Sequence, residues 1–234
     1  MTDASYKLSE VSFFCPAYND QDNLPVLIPK VYQFLSETSD KFEIIIVEDG
    51  SPDKTGQAAD ELARKYPNIR VIHHPRNMGY GAALKDGFIN SKYDYVMYTD
   101  GDFQYDVTEF RPYLHLLESH DVLSGYAPKK VITLRRKIQS QVYNWLIAVL
   151  FFVWIKDIDC AMKIYKRKVL DSMEIKSTSA FIDAEMLIKA TKNGFKIVQF
   201  PVTQYTRKSG PEGGSKWLVI WTTVKDMIKF RVGL

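Results

Sequence analysis

The chain has 234 residues, 46% hydrophobic and 25% charged, which suits one compact domain, or a domain with a small appendage, that buries a core. Its 31 basic and 28 acidic residues give a net charge of +3, too little for a dedicated nucleic-acid binder. Two cysteines, Cys15 and Cys160, exclude a disulfide scaffold and a cysteine-based zinc site. The opening MTDASYKLSE lacks the apolar core of a secretion signal, so we expect a cytoplasmic location.

The first half alternates short apolar runs with helical stretches. Near-continuous β-branched and aromatic runs are typical of parallel strands covered by helices on both faces. We therefore expect an α/β fold with a mainly parallel central sheet. The predicted strands cover residues 11–16, 42–48, 69–73 and 94–100, and the predicted helices cover residues 24–36, 53–66 and 81–91.

The pattern changes after about residue 120. A basic stretch and a long apolar run are followed by two shorter predicted strands, at 158–165 and 196–202, and a predicted helix at 182–193. We interpret this part as the second half of the same domain. The segment RKSGPEGGSK, residues 207–216, is rich in glycine and charge, as are loops that close over a ligand.

Acidic side chains follow the fourth predicted strand, in the order Asp100, Gly101, Asp102, Phe103, Gln104. Ligands of parallel sheets bind at the carboxyl ends of the strands, and two carboxylates with an amide suit Mg²⁺ or Mn²⁺. Such a metal could bridge the protein to a diphosphate. The alternative is an ordinary turn, since aspartate and glycine are common turn residues.

A second acidic cluster follows the second predicted strand. Asp49 could accept hydrogen bonds from a nucleobase, whereas Ser51 or Asp53 suits the N-cap of the next helix. The small residues in 77–83 would let backbone approach a ligand closely. His73 and His74 match no motif, so the sequence assigns them no role.

Several ordered motifs resemble the family-2 glycosyltransferases of GT-A fold, and most of all their dolichyl- or polyprenyl-phosphate members, of the dolichol-phosphate mannosyltransferase type. They are PAYNDQDNL, IIIVEDGSPDKT, RNMGYGAALKDGF, YTDGDFQYD, DIDCAMKIYKR and FIDAEMLIKATKNGFKIVQFPV. The resemblance implies a GT-A domain over residues 1–216, with a donor half at about 1–120 and an acceptor half at about 121–216. A C-terminal basic amphipathic helix, 217–234, would follow.

The resemblance also implies the reaction and its donor site. A hexose would pass, with inversion, from a GDP-mannose or UDP-glucose type donor to polyprenyl or dolichyl phosphate, whose anionic oxygen needs no strong base. Asp100, Asp102 and Gln104 would hold Mg²⁺ or Mn²⁺, with Gly101 beside the donor diphosphate. The implied nucleotide-sugar residues are Pro16, Ala17, Tyr18, Asn19, Asp20, Asp49, Gly79 and Lys216.

For the acceptor phosphate, Arg135 and Arg136 match the paired arginines of the family, and guanidinium groups suit phosphate oxygens. Arg207, Ser215 and Lys216 match its closing loop. Where relatives carry Gly-Ser-Arg this chain has Ser-Gly-Tyr at 124–126, so Lys129 or Lys130 would replace the missing arginine. Further departures are the extra residues 211–213 and Gln199 in place of glutamate. The alternative for the basic stretch is a solvated surface.

The acids Asp183 and Glu185 match a pair that includes the catalytic base in relatives with hydroxyl acceptors. Here they would act in catalysis, contact the sugar or order a loop. Asp157 and especially Asp159 match residues close to the same chemistry. The alternative for any of these four acids is a capping or turn role. Two other functions stay open: transfer to a saccharide hydroxyl, with Asp183 or Glu185 as base, and a non-catalytic nucleotide-sugar-binding regulatory module.

The run over residues 142–155 is almost wholly apolar, but it is shorter than the about 20 residues that a bilayer span needs. With Trp145 and Trp154 near its ends it predicts an interfacial helix at about 138–155. The alternative for this helix and for 217–234 is packing against the domain. We expect a peripheral enzyme on the cytosolic membrane face, unless a membrane-anchored partner recruits it or the sequence is a shortened form.

Overall fold

The structure, a computed structural model, describes residues 6–206 and 217–233, the side chains of 217–220 excepted. A seven-stranded sheet forms its centre. The strands are β1 (Leu8–Ala17), β2 (Ser39–Glu48), β3 (Ile69–His73), β4 (Tyr95–Tyr98), β5 (Val122–Tyr126), β6 (Lys163–Lys166) and β7 (Ile197–Pro201). The helices are α1 (Leu24–Thr38), α2 (Thr55–Lys65), α3 (Tyr80–Asn90), a 3₁₀ helix (Val107–Glu118), α4 (Leu134–Phe151), α5 (Arg167–Asp171), α6 (Ile182–Lys192) and α7 (Trp217–Val232).

The spatial order of the strands is β3-β2-β1-β4-β6-β5-β7. Neighbouring strands are parallel, except that β6 runs antiparallel to both β4 and β5. The predicted α/β fold with a mainly parallel sheet is therefore confirmed. Because β1, β2 and β4 are parallel neighbours, the segments that follow them leave the sheet at one edge.

Both faces of the central strands are covered. Phe13, Phe14 and the Ile44–Val47 stretch of β2 are fully buried, which explains their continuous apolar sequence. The Phe14 ring stacks on Tyr98 of β4 with a centroid distance of 5.2 Å and meets Phe88 of α3 edge-on at 4.8 Å. These contacts fix α3 against the strands whose ends carry the acidic residues.

Most predicted elements occur with shifted ends, but one strand was placed wrongly. The strand predicted at 158–165 begins only at Lys163, because residues before it form a turn closed by the Cys160 N–H bond to the Asp157 carbonyl. The sequence also missed β5, α5 and the 3₁₀ helix, whose first turn is capped by Asp106.

Helix α4 covers Leu134–Phe151 instead of the predicted 138–155. Thr133 caps its first turn by accepting the Arg136 N–H at 3.4 Å. The left-handed conformation of Phe152, φ 60°, ends it. Among the residues that the structure describes, none of the helices is both long enough and apolar enough to cross a bilayer. The division into donor half, acceptor half and C-terminal helix stays a prediction.

Candidate active site

Three loops meet at the carboxyl edge of the sheet, as their sequence positions predict. The Asp49 N–H donates to the Ala17 carbonyl at 2.9 Å, and the Gly101 N–H donates to the Pro16 carbonyl at 3.1 Å. The ends of β1, β2 and β4 are therefore tied together through backbone. Position 101 has no room for a side chain, since a Cβ there would lie 2.6 Å from the Pro16 oxygen.

The turn after β1 is held by Asp20, which is buried. Its carboxylate accepts the Tyr18 N–H at 3.0 Å and the Asn23 side-chain amide at 2.8 Å. Asn19, with a φ of 58°, donates its N–H to the Ser51 hydroxyl at 3.2 Å. Asp20 thus shapes the predicted nucleoside pocket, while the partly exposed Tyr18 ring is the accessible surface there.

Asp49 lies at the second strand end. Its Oδ1 accepts the Met78 N–H at 2.8 Å and lies 2.7 Å from Nδ1 of His74, and its Oδ2 accepts the Gly79 N–H at 2.9 Å. A carboxylate offers about four lone-pair positions. These three contacts leave room for one further donor, such as a nucleobase N–H.

The predicted metal ligands lie side by side after β4. Asp100 Oδ1 is buried without a hydrogen-bond partner, an arrangement that costs free energy unless a ligand compensates it. Burial, together with the charges of Asp102 and Asp183, raises the pKa of Asp100 well above its usual value. A divalent cation between Asp100 and Asp102 would remove both penalties.

Gln104 completes this oxygen-rich turn. Its amide nitrogen donates to the Tyr205 carbonyl at 3.3 Å, which leaves the amide oxygen for a cation. Across residues 6–206 and 217–233, no group of three or more His, Cys, Asp or Glu side chains could hold a metal. The carboxylates of Asp100 and Asp102 and the Gln104 amide oxygen are oxygen donors of the kind that suits Mg²⁺ or Mn²⁺.

Asp183, a candidate base in the sequence, is buried. It lies close enough to Asp100 that, besides burial, its charge raises the pKa of that carboxyl. Its Oδ1 accepts bonds from Lys163, at 2.6 Å, and from the Tyr98 hydroxyl, and its Oδ2 accepts the Tyr80 hydroxyl at 3.3 Å. Because Lys163 pairs with Asp183 and both carboxylate oxygens accept hydrogen bonds, this cluster links α6 to β4, β6 and α3.

Lys163 is a residue of this cluster to which the sequence analysis assigned no role. Its side chain is 0% exposed, and its ammonium also donates to the Tyr98 oxygen at 2.9 Å and to the Cys160 carbonyl at 2.7 Å. All three of its protons are thus used. A lysine inside the apolar run AMKIY was the available signal, since a charge in a buried strand requires a partner.

Glu185 also has its carboxylate oxygens occupied by protein groups. It is fully buried, and its oxygens accept the Lys176 N–H at 2.9 Å, the Ser177 N–H at 2.7 Å and the Lys189 ammonium at 2.6 Å. It therefore orders the segment before α6, the alternative that the sequence left open.

Asp157 and Asp159 differ in their solvent exposure and in their hydrogen-bond partners. Asp157 is buried and binds Lys130 at 2.6 Å and the Ala127 N–H at 3.2 Å. Asp159 is crowded by protein atoms, yet its side chain remains accessible to solvent. Desolvation and the charge of Asp183 raise the pKa of Asp159 to about 7. Asp159 is the member of this pair whose carboxyl group reaches solvent.

The basic residues lie around the start of α4. Lys129 and Arg135 are exposed and Arg136 is half-buried. Lys130 is committed to Asp157 and to the Ser140 hydroxyl, at 2.9 Å, so Lys129 is the better candidate to replace the missing arginine. The predicted residues Arg207, Ser215 and Lys216 lie outside the described residues.

The fold has close relatives among solved structures. Glucosyl-3-phosphoglycerate synthase of Mycobacterium tuberculosis, in complex with Mn²⁺, UDP and glucosyl-3-phosphoglycerate, superposes with a TM-score of 0.71 over 97% of this chain and 81% of that chain, at 18% identity. The structure of a mycobacterial protein superposes with a TM-score of 0.75 over 97% of this chain and 76% of that chain, also at 18% identity. The architecture is thus that of the GT-A enzymes.

Curated relatives are more similar in sequence. Glycosyltransferase AglD of Haloferax volcanii is 30% identical over 82% of this chain and 32% of its own length. Polyprenol monophosphomannose synthase of Mycolicibacterium smegmatis is 29% identical over 83% of this chain and 77% of its own length. A dolichyl-phosphate beta-glucosyltransferase of Trichomonas vaginalis is 29% identical over 82% and 64%. The chain thus spans about a third of the first relative and just under two thirds of the last.

The family assignment follows from the sequence profile described as glycosyl transferase family 2, which matches residues 12–173. That range includes the strand ends and the Asp100–Gln104 turn described above. It also includes the Asp157–Lys163 segment that supports them. The chain belongs to glycosyltransferase family 2.

Proposed function

We propose that the protein transfers a hexose, with inversion, from a nucleotide-diphosphate sugar to the phosphate of a polyprenyl or dolichyl lipid. The observation that carries the proposal is the buried, unpaired oxygen of Asp100 beside Asp102, at the edge where three strand ends meet. The names of two relatives, a polyprenol monophosphomannose synthase and a dolichyl-phosphate beta-glucosyltransferase, support this acceptor class.

The donor lies across the ends of β1, β2 and β4 in this proposal. Tyr18 and Asn19 contact the nucleoside, with Pro16 and Ala17 forming the floor, and Asp49 accepts a base N–H. Asp100, Asp102 and Gln104 hold a divalent cation, with Gly101 close to the diphosphate. When bound, the cation neutralises charge on the departing nucleoside diphosphate.

The acceptor supplies its own nucleophile. The second pKa of a phosphate monoester is about 6, so at neutral pH an anionic oxygen attacks the anomeric carbon. The bond from that carbon to the donor diphosphate breaks on the opposite face, which inverts the configuration. Asp159, whose pKa is raised to about 7, accepts the proton of any acceptor that arrives protonated. Lys129, Arg135 and Arg136 bind the acceptor phosphate, with Arg207, Ser215 and Lys216 as further proposed contacts.

The exposed side of α4 suits a lipid surface. Apolar side chains recur every three or four residues and stay exposed, so they form one stripe along the helix. Trp145 is 60% exposed, Phe152 79% and Trp154 77%, and indoles favour the membrane interface. The stripe consists of Leu134, Ile138, Val142, Trp145, Val149 and Phe152, with Trp154 just beyond the helix.

Helix α7 has one side that packs on the domain and another that is exposed, so it suits both predicted roles, packing and membrane contact. Met227 is buried, and the Phe230 ring lies 5.6 Å from that of Phe151 and 5.4 Å from that of Phe181, so one side of the helix packs on the domain. Trp221 and Ile228 remain exposed. We propose that these and the α4 stripe rest on the cytosolic leaflet, where the lipid acceptor resides.

Replacing Trp145 and Trp154 together by serine should weaken binding to vesicles of phosphatidylcholine and phosphatidylserine by at least about tenfold. Two indoles that move from water into the membrane interface contribute a few kcal/mol to the binding free energy. Co-sedimentation measures the effect. Ile89→Ser, which removes an exposed apolar side chain of α3, serves as the control and should bind normally. Unchanged vesicle binding by the tryptophan variant would contradict the proposed membrane face.

The reaction is tested by incubating the protein and Mg²⁺ or Mn²⁺ with a short polyprenyl phosphate and a panel of UDP- and GDP-sugars. We expect one donor to yield a glycosylated lipid phosphate, detected by mass spectrometry of the organic phase. Nucleoside diphosphate release only with a saccharide would instead indicate a hydroxyl acceptor. Binding without any turnover would point to a regulatory module.

A further inference from the structure

His74 occupies a buried position between two carboxylates. Its Nδ1 lies 2.7 Å from Asp49 Oδ1, and its Nε2 lies 2.9 Å from Asp86 Oδ2 on α3. The His74 and Asp49 side chains are 4% and 5% exposed, whereas Asp86 is 39% exposed. The imidazole thus links the end of β2 to α3 through the interior, and only its outer partner reaches solvent.

The carboxylate that His74 contacts also holds the loop before α3. Asp49 accepts the N–H groups of Met78 and Gly79. The same loop packs directly on Gly50, since a Cβ there would lie 2.2 Å from the Arg76 carbonyl carbon. The Asp49–Gly50 turn and residues 76–79 therefore form one packed unit, and His74 fixes the carboxylate at its centre.

The neighbouring histidine offers a natural comparison. His73 is also bracketed by two carboxylates, at 3.3 Å from Glu48 Oε2 and 3.0 Å from Asp60 Oδ1. Its side chain is 45% exposed, and its partners lie on β2 and α2. The described contacts of His73 do not include Asp49 or residues 76–79. Two adjacent histidines thus make similar contacts, but only His74 reaches the Asp49 carboxylate.

We propose that His74 is a positioning residue for the donor: it orients Asp49 and, through it, the 76–79 backbone for recognition of the nucleoside. This inference rests on the proposed function, in which Asp49 receives a base N–H. Without the imidazole, a buried carboxylate loses one of three partners, and such a group rotates or recruits water to regain a hydrogen bond. Either change alters the acceptor offered to the base.

The test compares His74→Ala with His73→Ala in the full chain. We expect His74→Ala to raise the Kd for UDP or GDP, whichever the wild type binds, by about tenfold, equivalent to about 1.4 kcal/mol. The KM for the nucleotide sugar should rise in parallel, while kcat at saturating donor changes less than about threefold, since the interaction acts on binding. For His73→Ala, the Kd should stay within about twofold of wild type, because its contacts bypass Asp49. Calorimetric titration and steady-state kinetics measure these values.

Asp86→Ala covers the case in which His74→Ala does not fold, because it removes only the outer, part-exposed anchor of the imidazole. It should weaken nucleotide binding in the same direction. The inference is wrong if either folded variant binds nucleotide like wild type, or if His73→Ala weakens binding equally. A wild-type protein that binds neither UDP nor GDP would overturn the proposed function itself, and this role with it.

Discussion

Asp102→Asn should reduce kcat by about a thousandfold or more, because in the proposed mechanism the lost charge helps to stabilise the leaving diphosphate mainly in the transition state. The amide keeps the size of the side chain and can still accept the Gln104 N–H, at 3.1 Å in the native protein. We therefore expect the fold to persist. The Kd for the nucleoside diphosphate should change less than about tenfold, since strand-end contacts to the nucleoside remain.

Asp106→Asn is the matched control for this variant. Asp106 lies four residues along the chain, where its carboxylate accepts the Thr108 N–H at 3.0 Å and pairs with Lys30. An amide oxygen can keep the first contact, so turnover should stay close to that of wild type. Full activity of Asp102→Asn, or activity that survives chelation of divalent metals, would contradict the proposed metal site.

Lys163→Met should destabilise the protein by about 3–5 kcal/mol, the usual cost of leaving one member of a buried ion pair without its partner. Asp183 would keep its buried position while losing the ammonium at 2.6 Å. Urea unfolding of the wild type and the variant measures the difference.

The double variant Lys163→Met with Asp183→Asn identifies the cause. Removing both charges should recover much of the lost stability, because an uncharged pair has no ionic desolvation cost. Lys41→Met, which breaks the exposed contact of Lys41 with Glu10, should change stability little. Equal urea midpoints for Lys163→Met and the wild type would show that the Lys163–Asp183 contact is not a buried ion pair.

Local sequence determined the sheet and the place of the site. Continuous apolar runs such as 42–48 predict strands that are buried on both faces, and the polar residues after them indicate the carboxyl edge of a parallel sheet. The turn from Asp100 to Gln104 and the position of Asp49 follow from that rule alone. The resemblance to known motifs predicted a metal and a diphosphate at this turn, and the family profile over residues 12–173 confirms the family that those motifs indicated.

The sequence did not predict which side chains contact one another. Asp183 and Glu185 are two residues apart in sequence and looked equivalent as acids, yet α6 directs one to Lys163 and the other to the Lys176–Ser177 backbone. Which protein groups each acid contacts depends on the rotation of α6 against the sheet. That rotation is set by packing of residues far apart in the chain, so neither acid could be judged from its own motif.

The fold class, the family and the strand ends at the candidate site could be predicted from the sequence, because they depend on periodic burial and on short motifs. Which charged side chains pair with one another inside the fold became visible only in three dimensions. Lys163 meets Tyr98, and His74 meets Asp49, across 65 and 25 residues of chain. Such pairs form because a buried polar group must find a partner wherever packing places one, and the linear sequence does not encode that place locally.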